Sequence, residues 1–296
     1  DLDQTAADLA DQQAVLAAVA PDLLDGILPG RRVAVVEIGE VDPSVAESVL
    51  GQLTAAGASV TAQVALSDQW TSSSRASFRG TIAGTLVGYL DPVPAADAGT
   101  GVELAEALVQ ALTTAAPSDV DALSENGGVI LDLLSGDAGM ISLAAPVTVP
   151  ADAVVVLAGP IVSSAVAAEA TEPTSTPDPS SAAAEEAQKE EIDATTQIAE
   201  AAQARSSGVV VAGEATADRS VLLALRSDVA LASSISTVDS VEGMAGQVTV
   251  PMALSARITG IVGHYGSGSL ATSAMPRRIV LQPIERVPTA VVEPEP

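Results

Sequence analysis

Cysteine is absent from the 296 residues. Thiolate zinc sites, iron–sulfur clusters and disulfide frameworks are therefore excluded. Aromatic residues make up only 1% of the chain; they are Trp70, Phe78, Tyr89 and Tyr265. A muramidase-type cleft that stacks sugars on rings lacks its material, and so does a membrane barrel with aromatic girdles. Lysine occurs once, as Lys189, and the other basic residues are scattered arginines. Against 38 acids the 12 basic residues leave a net charge of -26. Nucleic acid is excluded as a partner, because a phosphate backbone needs clustered Lys and Arg. An anionic membrane surface repels the chain for the same reason. The longest apolar run, Ala153 to Ala168, is broken by Gly159-Pro160 and is too short to span a bilayer. The first residue is Asp1, not Met, so the chain is expected to be a processed or truncated piece, with any N-terminal membrane anchor outside it.

Hydrophobic residues nevertheless reach 48%. With so few rings, Ala, Val and Leu must fill the core, and such side chains suit parallel strands covered by helices. The length allows one large or two ordinary domains. The acidity has two readings, solubility and adaptation to salt. A calcium loop of the D-x-D-x-D-G type does not occur.

Leu2, Leu9, Leu16 and Leu23 recur every seven residues, with Ala6, Gln13 and Ala20 four positions after the first three. That is the pattern of a coiled-coil seam, predicted over residues 1–25 and interrupted by Pro21. An amphipathic helix packed on its own domain has the same pattern. Gly26, Pro29 and Gly30 read as a linker.

Residues 31–275 read as an α/β domain with a Rossmann-like, layered parallel sheet. Val33 to Ile38 is a buried strand, Asp42-Pro43 starts a helix that ends at Gly57, and Val60 to Leu66 alternates as a second strand. This is a β-α-β unit with a right-handed crossover. Helices follow over 71–90 and from Thr100, where Thr100 and Glu103 form a capping box. A short helix is expected from Ser118 to Gly127-Gly128, and strands at Val129–Leu134 and Ala153–Ala158. Residues 169–181, rich in Pro, Ser and Thr, read as a flexible loop. A charged helix over 182–204 pairs Glu185 with Lys189. Gly208–Gly213 and Ile235–Val238 are strands, with a helix capped by Asp218 between them. A helix is expected over 247–259 with Pro251 in or near its first turn. The tail 276–296, with five prolines, reads as extended or disordered.

Catalytic signatures are missing. Neither G-x-G-x-x-G nor a P-loop is present, and Glu40 and Asp42 would repel phosphate from the first helix. The G-x-S-x-G elbow is absent too. A triad of His264, Asp239 and Ser267 can be written down, but the same can be done in almost any chain. Copper prefers Cys, Met and His, and the available set is His264 with Met252 and Met244. Methionine as core filler is the competing reading.

Five stretches carry a family resemblance: Ile235 to Asp239, Gly246-Gln-Val-Thr-Val, Ala253-Leu254, Gly263-His-Tyr-Gly-Ser-Gly268, and Gly57 to Trp70. Together they resemble the MctB/SteB family of actinobacterial envelope proteins. The resemblance implies an N-terminal membrane anchor, a coiled coil and an extracytoplasmic α/β domain. It implies two functions. One is copper efflux or resistance. The other is cell separation, in which the protein pairs with a SteA-like membrane partner and regulates a peptidoglycan hydrolase. The expectation is a non-catalytic, cofactor-free scaffold, homodimeric through Leu2, Leu9, Leu16 and Leu23. A loop of Asp239, Gly263, His264, Tyr265 and Gly266 is its candidate functional surface. Copper transport, with His264, Met252 and Met244 as ligands, is the alternative.

Overall fold

The run Val33–Val36 is buried on both sides, as a strand between two helical layers must be. The computed structural model describes residues 2–136, 138–160, 179–214 and 220–286, and among these the side chains of all but 2–12 and 179–184. The chain opens with α1 (Leu2–Leu24), β1 (Arg32–Ile38), α2 (Pro43–Ala55) and β2 (Ser59–Leu66). Next come α3 (Asp68–Thr71), α4 (Ala76–Leu86), α5 (Thr100–Thr113), a small β3 (Ala115–Ala116) and β4 (Asp119–Leu123) pair, and α6 (Glu125–Ser135). Then follow β5 (Ile141–Leu143), β6 (Ala153–Ala158), α7 (Pro179–Arg205) and β7 (Val209–Gly213). The last elements are α8 (Val221–Ser227), α9 (Val229–Ser234), β8 (Ser236–Val238), α10 (Met244–Ile258) and β9 (His264–Tyr265).

Seven strands form one open sheet in the order β5-β2-β1-β6-β7-β8-β9. All neighbours pair parallel except the edge strand β5, which runs antiparallel to β2. Alternation along the strands separates two cores. Ala34, Val36, Val154, Val156, Val209 and Val211 pack under α4 to α8. Val33, Val35, Val155, Val210, Val238 and Tyr265 pack under α2, α10 and the end of α1. This is the Rossmann-like layered α/β architecture expected from the sequence. Asp42 caps α2 by accepting from the Ser44 amide at 2.7 Å, with Pro43 in the first turn.

Several local expectations are corrected. Val129–Leu134 belongs to α6, not to a strand, and the segment after Ser118 is β4, not a helix. A short apolar run does not reveal its period. Here Ile130, Leu131 and Leu134 bury one helical face, and Ser124 caps the helix by accepting from Gly127. Gly99, not Thr100, is the cap of α5, so the capping box does not form. Ser220 caps α8; Asp218 lies outside the described residues. Pro251 is not in the first turn but the eighth residue of α10. An internal proline costs about 3 kcal/mol. Burying Val248, Val250, Met252 and Leu254 on the sheet offsets that, at roughly 1.5–3 kcal/mol each.

Both ends of the domain differ from the sequence picture. The helix α1 runs through Pro21, and its last turns dock on the domain: Ala20 and Leu24 are buried, and Leu23 packs against the same core. Leu23, expected on an intermolecular seam, therefore faces its own domain. Leu16 is half-buried; the side chains of Leu2 and Leu9 lie outside the described residues. Ile27 and Leu28 are fully buried, so the expected linker is part of the core. Residues 276–286 form no helix or strand and lie against the domain with Leu281 buried. Residues 169–178 and 287–296 lie outside the described residues, and 179–181 open α7.

Candidate functional site

Residue 239 directly follows β8 and residue 264 opens β9, the edge strand beside it. The register pairs Thr237 with His264 and Val238 with Tyr265. Val238 and Tyr265 join the core that holds Met252, so Thr237 and His264 face the opposite layer. Arg226, the last charged residue of α8, reaches down into that layer.

Arg226 is the hub. Its Nε donates to Thr237 Oγ1 at 2.8 Å, and Nη1 donates to Asp239 Oδ2 at 2.9 Å and to the Ser269 carbonyl at 3.0 Å. Nη2 donates to the Tyr265 carbonyl at 3.0 Å. The ion pair is sealed from water, with side-chain exposures of 2% and 0% for Arg226 and Asp239. Asp239 also accepts from Ser240 Oγ at 2.7 Å and from the amides of Ser267 at 2.9 Å and Gly268 at 3.1 Å. Burial alone would raise the Asp239 carboxyl; the hydrogen bonds from Ser240, Arg226, Ser267 and Gly268 outweigh it and hold the pKa below 3.8.

His264 closes the network. Its Nε2 lies 3.1 Å from the Ala232 carbonyl, which can only accept, so Nε2 carries the proton. Nδ1 lies 2.9 Å from Thr237 Oγ1 and takes that hydroxyl's proton as acceptor. Burial, and then the Arg226 charge, lower its pKa below 6.5 against the hydrogen bond to Ala232. The imidazole is thus neutral at physiological pH, with both nitrogens engaged. Neither has a lone pair left for a metal.

The structure assembles Asp239, Gly263, His264, Tyr265 and Gly266 as expected, but inward. His264 and Tyr265 are buried, so these two side chains do not present the exposed contacts that the sequence suggested, whereas Gly263 and Gly266 are half-buried. The glycines mark close approaches. A Cβ on Gly266 would fall 2.0 Å from Asp239 Oδ1, at a φ of +126°. A Cβ on Gly246, in the first turn of α10, would fall 2.3 Å from the Ser240 carbonyl oxygen. Two separate sequence stretches therefore share one physical role, enclosing the Asp239 turn.

The copper set does not converge. Met252 is buried in the core on the far side of the sheet from His264, and Met244 packs against that same core, near Gln52. The reason is strand alternation, which the spacing of the three residues conceals. Among the described residues, no group of three or more His, Cys, Asp or Glu could hold a metal ion. Ser267 contributes its amide to Asp239, and its hydroxyl lies 3.4 Å from Ser240 Oγ. Asp239 is bound to Arg226 and not to His264, so the triad is not assembled.

A second feature lies at the carboxyl ends of β1 and β6. The chain runs outward from these two strands in opposite directions, which is where open α/β sheets leave a crevice. The crevice has a volume of about 250 Å³, an apolar floor including Val45 and Leu157, and an acidic rim of Glu40, Asp42, Glu214 and Glu242. Beside it, Glu191 of α7 leans on Gly39. Burial and then the Glu40 charge push its pKa up to about 7. Sequence reading missed both Arg226 and Glu191. An arginine closing the apolar run Val221–Leu225 was the available signal for the first; nothing marked the second among 38 acids.

A family model described as "Copper transport outer membrane protein, MctB" matches residues 1–276. The chain belongs to the MctB family. Proteins named "Copper transporter MctB" from Mycobacterium tuberculosis (strain H37Rv) and Mycobacterium bovis are 43% identical to it over 72 residues. That stretch spans 23% of this chain and 23% of each relative. Among the described residues of this MctB-family chain, no helix is long and apolar enough to cross a membrane. The sheet they form is open, with β5 and β9 as its edges.

Proposed function

We propose that this chain is a non-catalytic, extracytoplasmic component of an envelope copper-transport or copper-resistance system, acting through protein contacts and not by holding copper in this domain. The family match supports the copper assignment. The observation that carries the mechanism is the engagement of both His264 nitrogens, with Met252 on the other side of the sheet. The test pairs two measurements. Cu(I) titration in competition with a chromophoric chelator is expected to give no stoichiometric site tighter than micromolar, unchanged in His264→Ala and Met252→Leu. Deletion of the gene is expected to raise copper sensitivity. A tight site lost in either variant overturns the mechanism, and unchanged copper tolerance overturns the copper assignment.

A second reading is a scaffold for cell separation, pairing with a SteA-like membrane protein and regulating a peptidoglycan hydrolase. The exposed Val15 and Val19 of α1, 66% and 42% accessible, favour it, since a helix with an uncovered apolar stripe suits a partner helix or a second copy. This reading expects chains of unseparated cells on deletion and capture of a hydrolase or its regulator by the full chain. Normal separation with no such capture removes it.

A further inference from the structure

The family match ends at residue 276, and the ten residues after it run across the joint between α1 and the sheet. Arg278 donates from Nε to the Leu23 carbonyl at 3.0 Å and from Nη2 to the Asp25 carbonyl. The Leu281 amide donates to the Ile27 carbonyl at 3.3 Å. The Leu281 side chain is buried in the core that contains Ala20, Leu24, Ile27 and Leu28. Arg31 donates back to the Gln282 carbonyl at 3.2 Å. At the far end Arg286 donates to the Gly30 carbonyl at 3.0 Å and pairs with Asp152, whose carboxylate also accepts from the Arg32 amide.

These contacts have a common target. The carbonyls of residues 23, 25, 27 and 30 are the ones a helix end and the turn after it leave without intrahelical partners. Gly26 and Gly30 turn at positive φ there, at positions without a Cβ to restrict the backbone. We propose that residues 277–286 act as a strap that fixes the direction in which α1 leaves the domain. The strap makes helix and sheet one rigid body; without it, the last turn of α1 and residues 25–31 hinge about the two glycines. The device is separable from the sheet, because the strap's hydrogen bonds go to residues 23–31 and to Asp152 and, among the described residues, none go to β6 or β7.

Amide hydrogen exchange tests this on the full chain, on a chain ending at Pro276, and on the full chain carrying Arg278→Gln with Leu281→Ser. The strap predicts that amides of residues 20–31 exchange about tenfold faster or more in both variants, while those of β6 and β7 keep their protection. Unchanged exchange over 20–31 overturns the proposal. So does an equal loss of protection across the whole sheet in either variant, which would make the segment ordinary core.

Discussion

Replacing Asp239 by alanine removes the carboxylate that, among the described residues, pairs with a guanidinium that is 2% exposed. Arg226 keeps its bonds to Thr237, Ser269 and Tyr265, but among the described residues its charge then has no counter-charge in a dry site. The amides of Ser267 and Gly268 lose their acceptor as well. Breaking one side of a buried ion pair costs about 3–5 kcal/mol. For a chain of this size that corresponds to roughly 6–20 °C in melting temperature. Urea denaturation followed by circular dichroism measures it directly. The reasoning also requires strong coupling. Arg226→Met combined with Asp239→Leu removes both charges, so the double variant should be less destabilised than the sum of the two single changes by more than about 1 kcal/mol. Acid should act in the same direction as the mutation. The carboxyl titrates lower in the folded than in the unfolded chain, so its stabilisation is present above about pH 4 and is lost as pH falls through the folded value. A loss below about 1 kcal/mol in Asp239→Ala, or additivity of the two single changes within about 0.5 kcal/mol, refutes the view that this pair locks the β8–β9 edge.

Two other outcomes follow from the same geometry. Gly266→Ala puts a methyl group 2.0 Å from Asp239 Oδ1 at a φ of +126°, and should cost several kcal/mol, on the order of the loss in Asp239→Ala itself; a change within about 0.5 kcal/mol in denaturant unfolding would count against the close approach. Glu191→Gln should stabilise the chain above pH 7: with the folded pKa at about 7 and the ordinary value at 4.5, folding takes up a proton between them, so wild-type stability falls as pH rises across that window, and the variant should flatten the slope by ~1 kcal/mol after allowance for solvent screening.

The layered α/β architecture was legible because it depends on local pattern. Val33–Val36, Ala153–Ala158 and Val209–Gly213 are continuous apolar runs, and such runs read as strands covered on both sides whatever their neighbours. The cap at Asp42 was legible for the same reason. Which residues meet across the sheet was not. His264 and Met252 lie twelve positions apart and are both suited to copper, yet strand alternation sends them to opposite layers. Asp239 and Gly266 meet in the structure, but Arg226, the residue that holds Asp239, was not marked, since a buried charge is chosen by its partner and not by its sequence neighbours. The heptad of α1 was visible too, and its pattern fits a partner helix or the parent domain equally well. Only the tertiary structure chose the domain for Ala20, Leu23 and Leu24, because apolar surface is buried by whatever lies within reach, and here α10 and α2 lie closest.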